Sequence, residues 1–146
     1  MIHEQPILLV EDDVVGVMTV KRAFKQRKVT NPLYTAGNGI EALELLRETT
    51  RENAELQRPG LILLDLNMPL MNGIELLGHL RREPALQTIP VVVMTTSRND
   101  RDLDACYRLG IAGYIVKPVR YPKFVDAIKT LNDYFTLCHV PQGSPD

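Results

Sequence analysis

Five short hydrophobic runs recur along the chain, at residues 7–10, 33–36, 61–64, 91–94 and 114–116. Runs of this length suit β-strands and are too short for helices. Their hydrophobicity is continuous rather than alternating, which is typical of strands in a parallel sheet that helices cover on both faces. The second run is the most polar, so we expect it at an edge of the sheet.

The segments between and after these runs carry hydrophobic residues at helical spacing and predict five helices. Asn38-Gly39 and Asn72-Gly73 mark the starts of the second and third helices. The fourth helix, at residues 100–109, is the weakest, with Leu103 and Cys106 as its inner residues. The inner stripes of the other helices are Val17, Val20 and Phe24; Ile40, Leu43 and Leu46; Ile74, Leu77 and Leu80; and Phe124, Ile128, Leu131 and Phe135.

This alternation indicates an α/β protein of the (βα)5 type, with a doubly wound five-stranded parallel sheet and right-handed connections. The 146 residues suit one ordinary domain, so we expect a single domain over residues 1–146 with no output domain. Residues 49–59 predict a helix end and a surface loop, and a short tail is expected from about residue 140.

The charge balance narrows the kinds of partner that the protein can have. Seventeen basic and eighteen acidic residues give a net charge of −1, which argues against binding nucleic acid through bulk positive charge. No hydrophobic run approaches the length of a membrane span, and the N-terminus lacks a secretion signal. Cys106 and Cys138 form neither a CxxC motif nor a disulfide framework. We therefore expect a cytoplasmic protein that binds neither nucleic acid nor membranes.

Polar residues follow four of the predicted strands, at the point where each strand ends. These residues are Glu11-Asp12-Asp13 after the first strand, Asp65 after the third, Thr95-Thr96-Ser97 at the end of the fourth and Lys117-Pro118 after the fifth. Ligands of open parallel sheets bind beyond the carboxyl ends of the strands, so these groups predict one site. A single acidic residue at a strand end is usually a helix cap or a solvated loop residue. The combination of all four strand ends favours a functional site.

The chemistry of this combination indicates phosphoryl transfer with a metal ion. Clustered carboxylates repel one another unless a cation lies among them, and oxygen ligands without His or Cys favour Mg²⁺. A carboxylate beside Mg²⁺ and a lysine can attack phosphorus, because the two cations balance the charge on the phosphoryl oxygens. The residues alone therefore predict an aspartyl phosphate.

Four stretches of the sequence resemble the receiver domains of two-component response regulators. They are Ile7-Leu-Leu-Val-Glu-Asp-Asp13, Leu64-Asp-Leu-Asn-Met-Pro-Leu-Met-Asn-Gly73, Pro90-Val-Val-Val-Met-Thr95 and Gly113-Tyr-Ile-Val-Lys-Pro118. The resemblance implies a flavodoxin-like fold with strand order 2-1-3-4-5. It also implies that Asp65 accepts a phosphoryl group from the phosphohistidine of a sensor histidine kinase. Such a protein is a signalling phosphoacceptor, and it catalyses only its own phosphotransfer and autodephosphorylation.

The resemblance assigns further roles residue by residue. Mg²⁺ would be bound by Asp12, Asp65 and the backbone carbonyl of Asn67, with Glu11 acting through water. The groups that bind the phosphoryl oxygens or change conformation would be Thr95, Lys117 and Tyr114, where Thr95 moves and Tyr114 turns inward on phosphorylation. Asn67 and Ser97 would tune the lifetime of the phosphoryl group, and Pro118 would follow a cis peptide bond. Asp13 receives no direct role.

A narrower resemblance links the chain to the stand-alone regulators that are paired with cyanobacterial phytochromes. It rests on the insertion before the third strand, the runs Arg58–Asp65 and Ile89–Ser97, and the long aromatic last helix. It implies a light-sensing kinase upstream. Exposed hydrophobic residues at Tyr134, Phe135 and Leu137 predict a homodimer through the face formed by the fourth helix, the fifth strand and the fifth helix.

Three alternatives stay open at this point. Gly37 and Gly39 fit a G-x-G-x-x-A dinucleotide fingerprint, but their strand is the second and too few residues follow for a complete nucleotide fold. A phosphatase acting on outside substrates needs an acid where Asn67 stands. A receiver-like adaptor that never takes phosphate would not need Asp12, Asp65, Thr95 and Lys117, although their presence does not prove phosphate traffic.

Overall fold

Each predicted hydrophobic run forms a strand, and a helix follows each strand. The computed structural model describes residues 5–139 and 141. The elements in chain order are β1 (Ile7–Val10), α1 (Val14–Gln26), β2 (Leu33–Ala36), α2 (Gly39–Glu48), β3 (Leu61–Leu64), α3 (Gly73–Arg82), β4 (Val91–Thr95), α4 (Asp100–Arg108), β5 (Gly113–Val116) and α5 (Tyr121–Leu137). The predicted (βα)5 pattern is confirmed.

The five strands form one parallel sheet in the order β2-β1-β3-β4-β5, which is the flavodoxin-like order that the resemblance implies. The polar strand β2 lies at an edge, as predicted. Val10 is in register with Leu64, and Leu64 with Val93, so the strands end at a common border of the sheet. That border carries the polar residues that the sequence singled out.

Helices cover the sheet on both faces, and successive strand residues alternate between two buried layers. Leu8 and Val10 pack with residues of α2, α3 and α4, whereas Ile7 and Leu9 pack with residues of α1 and α5. All residues of β1, β3 and β4 are buried. Burying a Leu, Ile or Val side chain stabilises a fold by about 1.5–3 kcal/mol, so these strands hold the rigid centre on which the site is built.

Two residues that the helical pattern placed inside are exposed. The Ile40 side chain is 42% exposed and Leu103 is 38% exposed. The α2 stripe is rotated because Gly39 lies against the backbone of Met71, and its buried residues are Gly39, Ala42, Leu43 and Leu46. The short helix α4 buries only Cys106 fully, since it lies at the margin of the sheet beside the edge strand β5.

No helix in the described part of the chain is long and apolar enough to cross a membrane. The tail expected from about residue 140 lies outside the described residues except for Pro141. The carbonyl of Pro141 accepts a hydrogen bond from Thr88 Oγ1 at 2.7 Å. This contact joins Pro141 to the loop before β4.

Candidate functional site

Three carboxylates meet where β1 and β3 end. The sheet continues for one residue beyond each strand, because Glu11 N–H donates to Ala36 O at 2.9 Å and Asp65 N–H donates to Val10 O at 3.0 Å. These bonds place Glu11 beside Asp65, and Asp12 follows at once. One oxygen from each of Glu11, Asp12 and Asp65 lies within 4.8 Å of the others. Glu11 and Asp65 are buried and Asp12 is exposed, so the cluster opens to solvent on one side.

Lys117 brings a positive charge from β5 to this cluster. Its Nζ lies 2.8 Å from Glu11 Oε2 and 3.7 Å from Asp65 Oδ2. Its backbone N–H donates to Thr95 O at 2.8 Å, which fixes the point where the lysine leaves the sheet. The Lys117–Pro118 peptide bond is cis. The two distances from Nζ place the ammonium group close to both buried carboxylates.

The pKa values of Glu11 and Lys117 are shifted by the charged groups around them. Burial raises the pKa of Glu11, and the negative charge of Asp65 raises it further, although the hydrogen bond from Lys117 opposes both; the net pKa lies above its ordinary value. Burial lowers the pKa of Lys117, but the hydrogen bond to Glu11 and the charge of Asp65 outweigh it, so this pKa is also raised. Lys117 therefore stays protonated near neutral pH and partly balances the acidic groups.

Thr95 lies at the end of β4 and is fully buried. Its Oγ1 accepts hydrogen bonds from Asn67 Nδ2 at 3.5 Å and from Ser97 N–H at 3.3 Å. Asn67 N–H also donates to Asp65 Oδ1 at 3.3 Å. The Tyr114 hydroxyl donates to Ser97 O at 3.0 Å. Thus Asp65, Asn67, Thr95, Ser97 and Tyr114 are linked by one series of hydrogen bonds, and the half-buried Tyr114 packs against the core layer of α2, α3 and α4.

Capping residues shape the helix starts on either side of the site. Asp13 is the N-cap of α1, where its side chain accepts from Val15 N–H at 3.1 Å, and its own N–H donates to Glu11 Oε1 at 3.1 Å. Asn72 caps α3 and forms a capping box with Glu75. Asp13 therefore has the ordinary capping role of an acidic residue after a strand, unlike its neighbour Asp12.

Sequence reasoning missed one acidic residue near the site, Asp102 of α4. Its Oδ2 accepts a hydrogen bond from Ser97 Oγ at 2.6 Å. It also lines an open cavity of about 400 Å³ together with residues that follow β1 and β3 and residues at the start of α3, namely Asp12, Leu66, Asn67, Met68, Pro69, Asn72 and Ile74. No spacing rule predicts this approach, because it depends on the path of the loop between β4 and α4.

A larger open cavity, of about 560 Å³, lies at the opposite border of the sheet. Its wall includes Arg81, whose guanidinium donates to the carbonyls of Gln87, Ile89, Leu109 and Gly110. These bonds join the loops that precede β4 and β5. We therefore interpret Arg81 as a structural clamp that lies away from the acidic cluster.

The glycines of the dinucleotide-like fingerprint are explained by contacts within the chain. Gly39 N–H donates to Met71 O at 2.9 Å, and a Cβ at Gly39 would lie 2.6 Å from that oxygen. Gly37 N–H donates to Glu41 Oε2, and Glu41 N–H donates to Asn38 Oδ1. The amide groups of this turn are thus engaged without a nucleotide, and the strand before it lies at the sheet edge.

The residues proposed for a dimer differ in exposure. Tyr134 is 61% exposed and Leu137 is 81% exposed. Phe135 packs partly against the core layer of α1 and α5, so its side chain is half-buried. Two further large side chains, Leu103 and Tyr107, are exposed on α4.

The acidic cluster has the ligands that a hard divalent cation prefers, since carboxylate oxygens bind Mg²⁺ and Mn²⁺. The pairing of this cluster with a half-buried lysine and a buried threonine at the carboxyl border of a 2-1-3-4-5 sheet is the arrangement of a receiver. Comparison with known proteins agrees with this class. A family model described as the response regulator receiver domain matches residues 7–129.

Two relatives are similar to this chain over more than two thirds of its length. The chain is 39% identical over 111 residues to the response regulator Rcp1 of Synechocystis sp., which covers 76% of this chain and 75% of Rcp1. It is 34% identical over 129 residues to the probable methanogenesis regulatory protein FilR2 of Methanothrix harundinacea, which covers 88% of this chain and 82% of FilR2.

Solved structures agree over nearly the whole chain. The phosphorylated cyanobacterial phytochrome response regulator RcpA aligns with a TM-score of 0.78 and 33% identity, over 94% of this chain and 98% of RcpA. The Mn(2+)-bound form of Rcp1 gives a TM-score of 0.73 and 31% identity, over 94% and 98% of the two chains. The bacteriophytochrome response regulator RtBRR aligns with a TM-score of 0.75 and 35% identity, over 95% of this chain and 84% of RtBRR.

The chain therefore belongs to the response regulator receiver domain family. Such domains are signalling proteins of two-component systems, and they interact with histidine kinases. Several of its homologues are phytochrome response regulators. The Mn(2+)-bound relative and the acidic cluster together indicate divalent metal binding.

Proposed function

We propose that the protein accepts a phosphoryl group on Asp65 from the phosphohistidine of a sensor histidine kinase, in a reaction that depends on Mg²⁺. The observation that carries this proposal is the position of Asp65. Its carboxylate is buried between two other acidic groups and the Lys117 ammonium, which lies 3.7 Å away. A carboxylate in this setting has both the charge to attack phosphorus and the neighbours to balance the product.

The transfer requires one bond to form and one to break. An oxygen of Asp65 forms a bond to phosphorus while the phosphorus–nitrogen bond of the phosphohistidine breaks, and the electron pair of that bond returns to the imidazole. Lys117 balances the charge of the phosphoryl oxygens from one side. The Thr95 hydroxyl would bind one of these oxygens. Asn67 supports this role, because its Nδ2 donates to Thr95 Oγ1 and its backbone N–H donates to Asp65 Oδ1.

Mg²⁺ would be held by Asp12, Asp65 and the Asn67 backbone carbonyl, with Glu11 acting through water, and would neutralise the acidic cluster and the incoming phosphoryl charge. Both Glu11 oxygens already accept hydrogen bonds, from Lys117 and from the Asp13 amide. This engagement supports an indirect role for Glu11. Asp12 is exposed and free to turn toward a cation.

The surface next to the site supports a protein as the phosphoryl donor. Val14, Val15 and Met18 are 70%, 69% and 56% exposed, and they occupy the first turns of α1 directly after Asp12 and Asp13. Exposed hydrophobic side chains grouped beside a reactive carboxylate favour docking of a partner protein. We propose that the kinase binds here, and that it is a phytochrome, as the similarity to RcpA and RtBRR suggests.

The signal would then leave by protein–protein contact. Thr95 and Tyr114 are joined through Ser97, and Tyr114 lies on the strand between α4 and α5. A change at Asp65 can therefore reach the face formed by α4, β5 and α5. We propose that this face pairs with a second copy of the chain, with Tyr134 and Leu137 contributing exposed apolar surface.

The alternative within the family is an adaptor that works without phosphate. The experiment that separates the two is incubation with Mg²⁺ and acetyl phosphate followed by prompt intact-mass measurement, with Asp65→Ala alongside. One base-labile phosphoryl adduct on the wild type alone is expected. If the folded wild type takes no adduct and binds no beryllofluoride, the phosphoacceptor proposal is wrong and the adaptor is favoured.

A further inference from the structure

Ser97 forms four hydrogen bonds that join the end of β4 to α4 and to Tyr114 of β5. Its N–H donates to Thr95 Oγ1 at 3.3 Å, its carbonyl accepts from the Tyr114 hydroxyl at 3.0 Å, and its Oγ accepts from Asn99 N–H at 3.3 Å. Its hydroxyl hydrogen is directed to Asp102 Oδ2, at 2.6 Å. A bond of this length to a carboxylate is charge-assisted and is the strongest of the four.

The Ser97–Asp102 bond is not needed to start α4. Asn99 is the N-cap of this helix, and its Oδ1 accepts from Arg101 N–H at 2.8 Å. Asp102 instead turns from the first turn of the helix toward the loop. The same half-buried residue lines the cavity shared with Asp12 and Asn67, so it borders the site where phosphoryl chemistry is proposed.

We propose that Asp102 is a positioning residue for the reaction at Asp65. It holds the Ser97 hydroxyl away from the phosphoryl group and fixes the loop of residues 96–99, and through the Ser97 N–H it sets the position of the Thr95 hydroxyl. This inference rests on the proposed phosphoacceptor function and extends it to a residue outside the four matching motifs. Its consequence is that Asp102 sets the lifetime of the aspartyl phosphate.

The direction of the effect follows from the network. Without the carboxylate of Asp102, the loop loses its charge-assisted hydrogen bond to α4 and keeps only the longer Asn99 N–H bond to Ser97 Oγ, so Thr95 is held less firmly and water reaches the phosphoryl group more easily. Asp102→Ala should therefore hydrolyse its aspartyl phosphate at least about threefold faster than the wild type. This is the change in rate that corresponds to the loss of one hydrogen bond. Asp102→Asn keeps an oxygen that can accept from Ser97, so its rate should stay close to that of the wild type.

The test is a double-mutant cycle with a matched control. Wild type, Asp102→Ala, Asp102→Asn, Ser97→Ala and the double variant are phosphorylated with acetyl phosphate and Mg²⁺, desalted, and followed by intact mass over time. Asp100→Ala is the control, because Asp100 carries the same charge in the same first turn of α4 and has no hydrogen bond to Ser97 among the described contacts. Thermal unfolding shows that each variant is folded.

The inference predicts that the double variant hydrolyses no faster than Ser97→Ala, since both single changes break the same bond. It is overturned if Asp102→Ala has the wild-type rate, if its effect is unchanged in the Ser97→Ala background, or if Asp100→Ala has the same effect. If the wild type takes no phosphoryl group at all, the proposed function fails first, and this inference fails with it.

Discussion

The ammonium group of Lys117 lies 2.8 Å from Glu11 Oε2, although 106 positions separate the two residues in the chain. Glu11 is the nearer of its two acidic neighbours, because Asp65 Oδ2 lies 3.7 Å from the same nitrogen. Glu11 thus holds the lysine beside Asp65, while the distance from the lysine nitrogen to the Asp65 carboxylate stays longer than a hydrogen bond. This arrangement leaves Asp65 available for the proposed phosphoryl transfer, with the positive charge of Lys117 already beside it.

Replacing Lys117 with Ala should separate phosphorylation from the conformational response. Asp65 would still take some phosphoryl group from acetyl phosphate, but the α4–β5–α5 face should show little change in its amide NMR spectrum. Because Glu11 is buried and would lose its partner, stability near neutral pH should fall by about 1–3 kcal/mol. A variant that showed the full wild-type spectral change would contradict this role for the lysine.

Asp12 should govern the affinity for Mg²⁺ more than its neighbour does. Asp12→Asn removes one charged ligand and should weaken Mg²⁺ binding about tenfold or more. Asp13→Asn is the matched control, because Asn can still cap α1 and the Asp13 side chain accepts from the Val15 amide, while only its backbone N–H reaches the cluster, at Glu11. Isothermal titration with Mg²⁺ at fixed ionic strength measures both. Equal losses in the two variants would mean that general charge, not ligation, sets the affinity.

Gly73 is needed where α3 meets the end of β3. A Cβ at Gly73 would lie 2.5 Å from Asp65 O and 2.8 Å from Leu66 Cα, so the backbone that carries Asp65, the proposed phosphoacceptor, would have to move. We expect Gly73→Ala to lower the free energy of unfolding by about 1–3 kcal/mol and to slow adduct formation. Denaturant unfolding and acetyl phosphate labelling measure the two effects.

Gly78 provides the comparison within the same helix. The nearest atom to a Cβ there is the flexible end of Arg82, at 3.4 Å. Gly78→Ala should therefore raise the free energy of unfolding by about 0.5–1 kcal/mol, because Ala loses less conformational freedom than Gly in a helix. If Gly73→Ala behaved like Gly78→Ala, the close approach at Gly73 would have no energetic consequence.

The sequence predicts the buried strands well because their residues are hydrophobic on both faces. Runs 7–10 and 61–64 coincide with the buried strands β1 and β3, and the more polar run 33–36 coincides with the edge strand β2. The pattern fails where a helix meets only part of the core, as at Leu103, or is rotated by a local contact, as at Ile40. The spacing of hydrophobic residues does not predict how a helix is oriented on the sheet. It also does not predict the path of the loop that brings Asp102 to Ser97.

Hydrophobic residues at the start of α1 should matter for the kinase and not for the chemistry. Met18→Glu places a charge on the surface beside the site and should slow transfer from the partner kinase's phosphohistidine about tenfold, which corresponds to about 1.4 kcal/mol. Labelling by acetyl phosphate should be unchanged, because this small donor needs no docking surface. Tyr107→Glu is the control, since Tyr107 is similarly exposed, at 52%, but lies on α4. If both variants lost transfer equally, the docking surface would not be confined to α1.

Cys106 should make stability depend on pH in the alkaline range. Its side chain is fully buried, and burial, aided by the charge of Asp102, raises the pKa of the thiol from its ordinary 9.0 to about 11. Between these values the unfolded chain has lost the thiol proton while the folded chain keeps it, so the folded state is penalised as pH rises. The loss is at most about 2–3 kcal/mol and is complete near pH 11.

Denaturant unfolding of the wild type and of Cys106→Ala, with a reductant present, isolates this contribution because the other titrating groups are common to both. The difference in their free energy of unfolding should be constant below pH 9 and should shift against the wild type as pH rises toward 11. In the folded wild type, a thiol reagent should modify the partly exposed Cys138 and leave Cys106 unmodified until the protein unfolds. Rapid modification of Cys106 under native conditions would show that α4 opens readily, and the pH dependence would then be correspondingly weak.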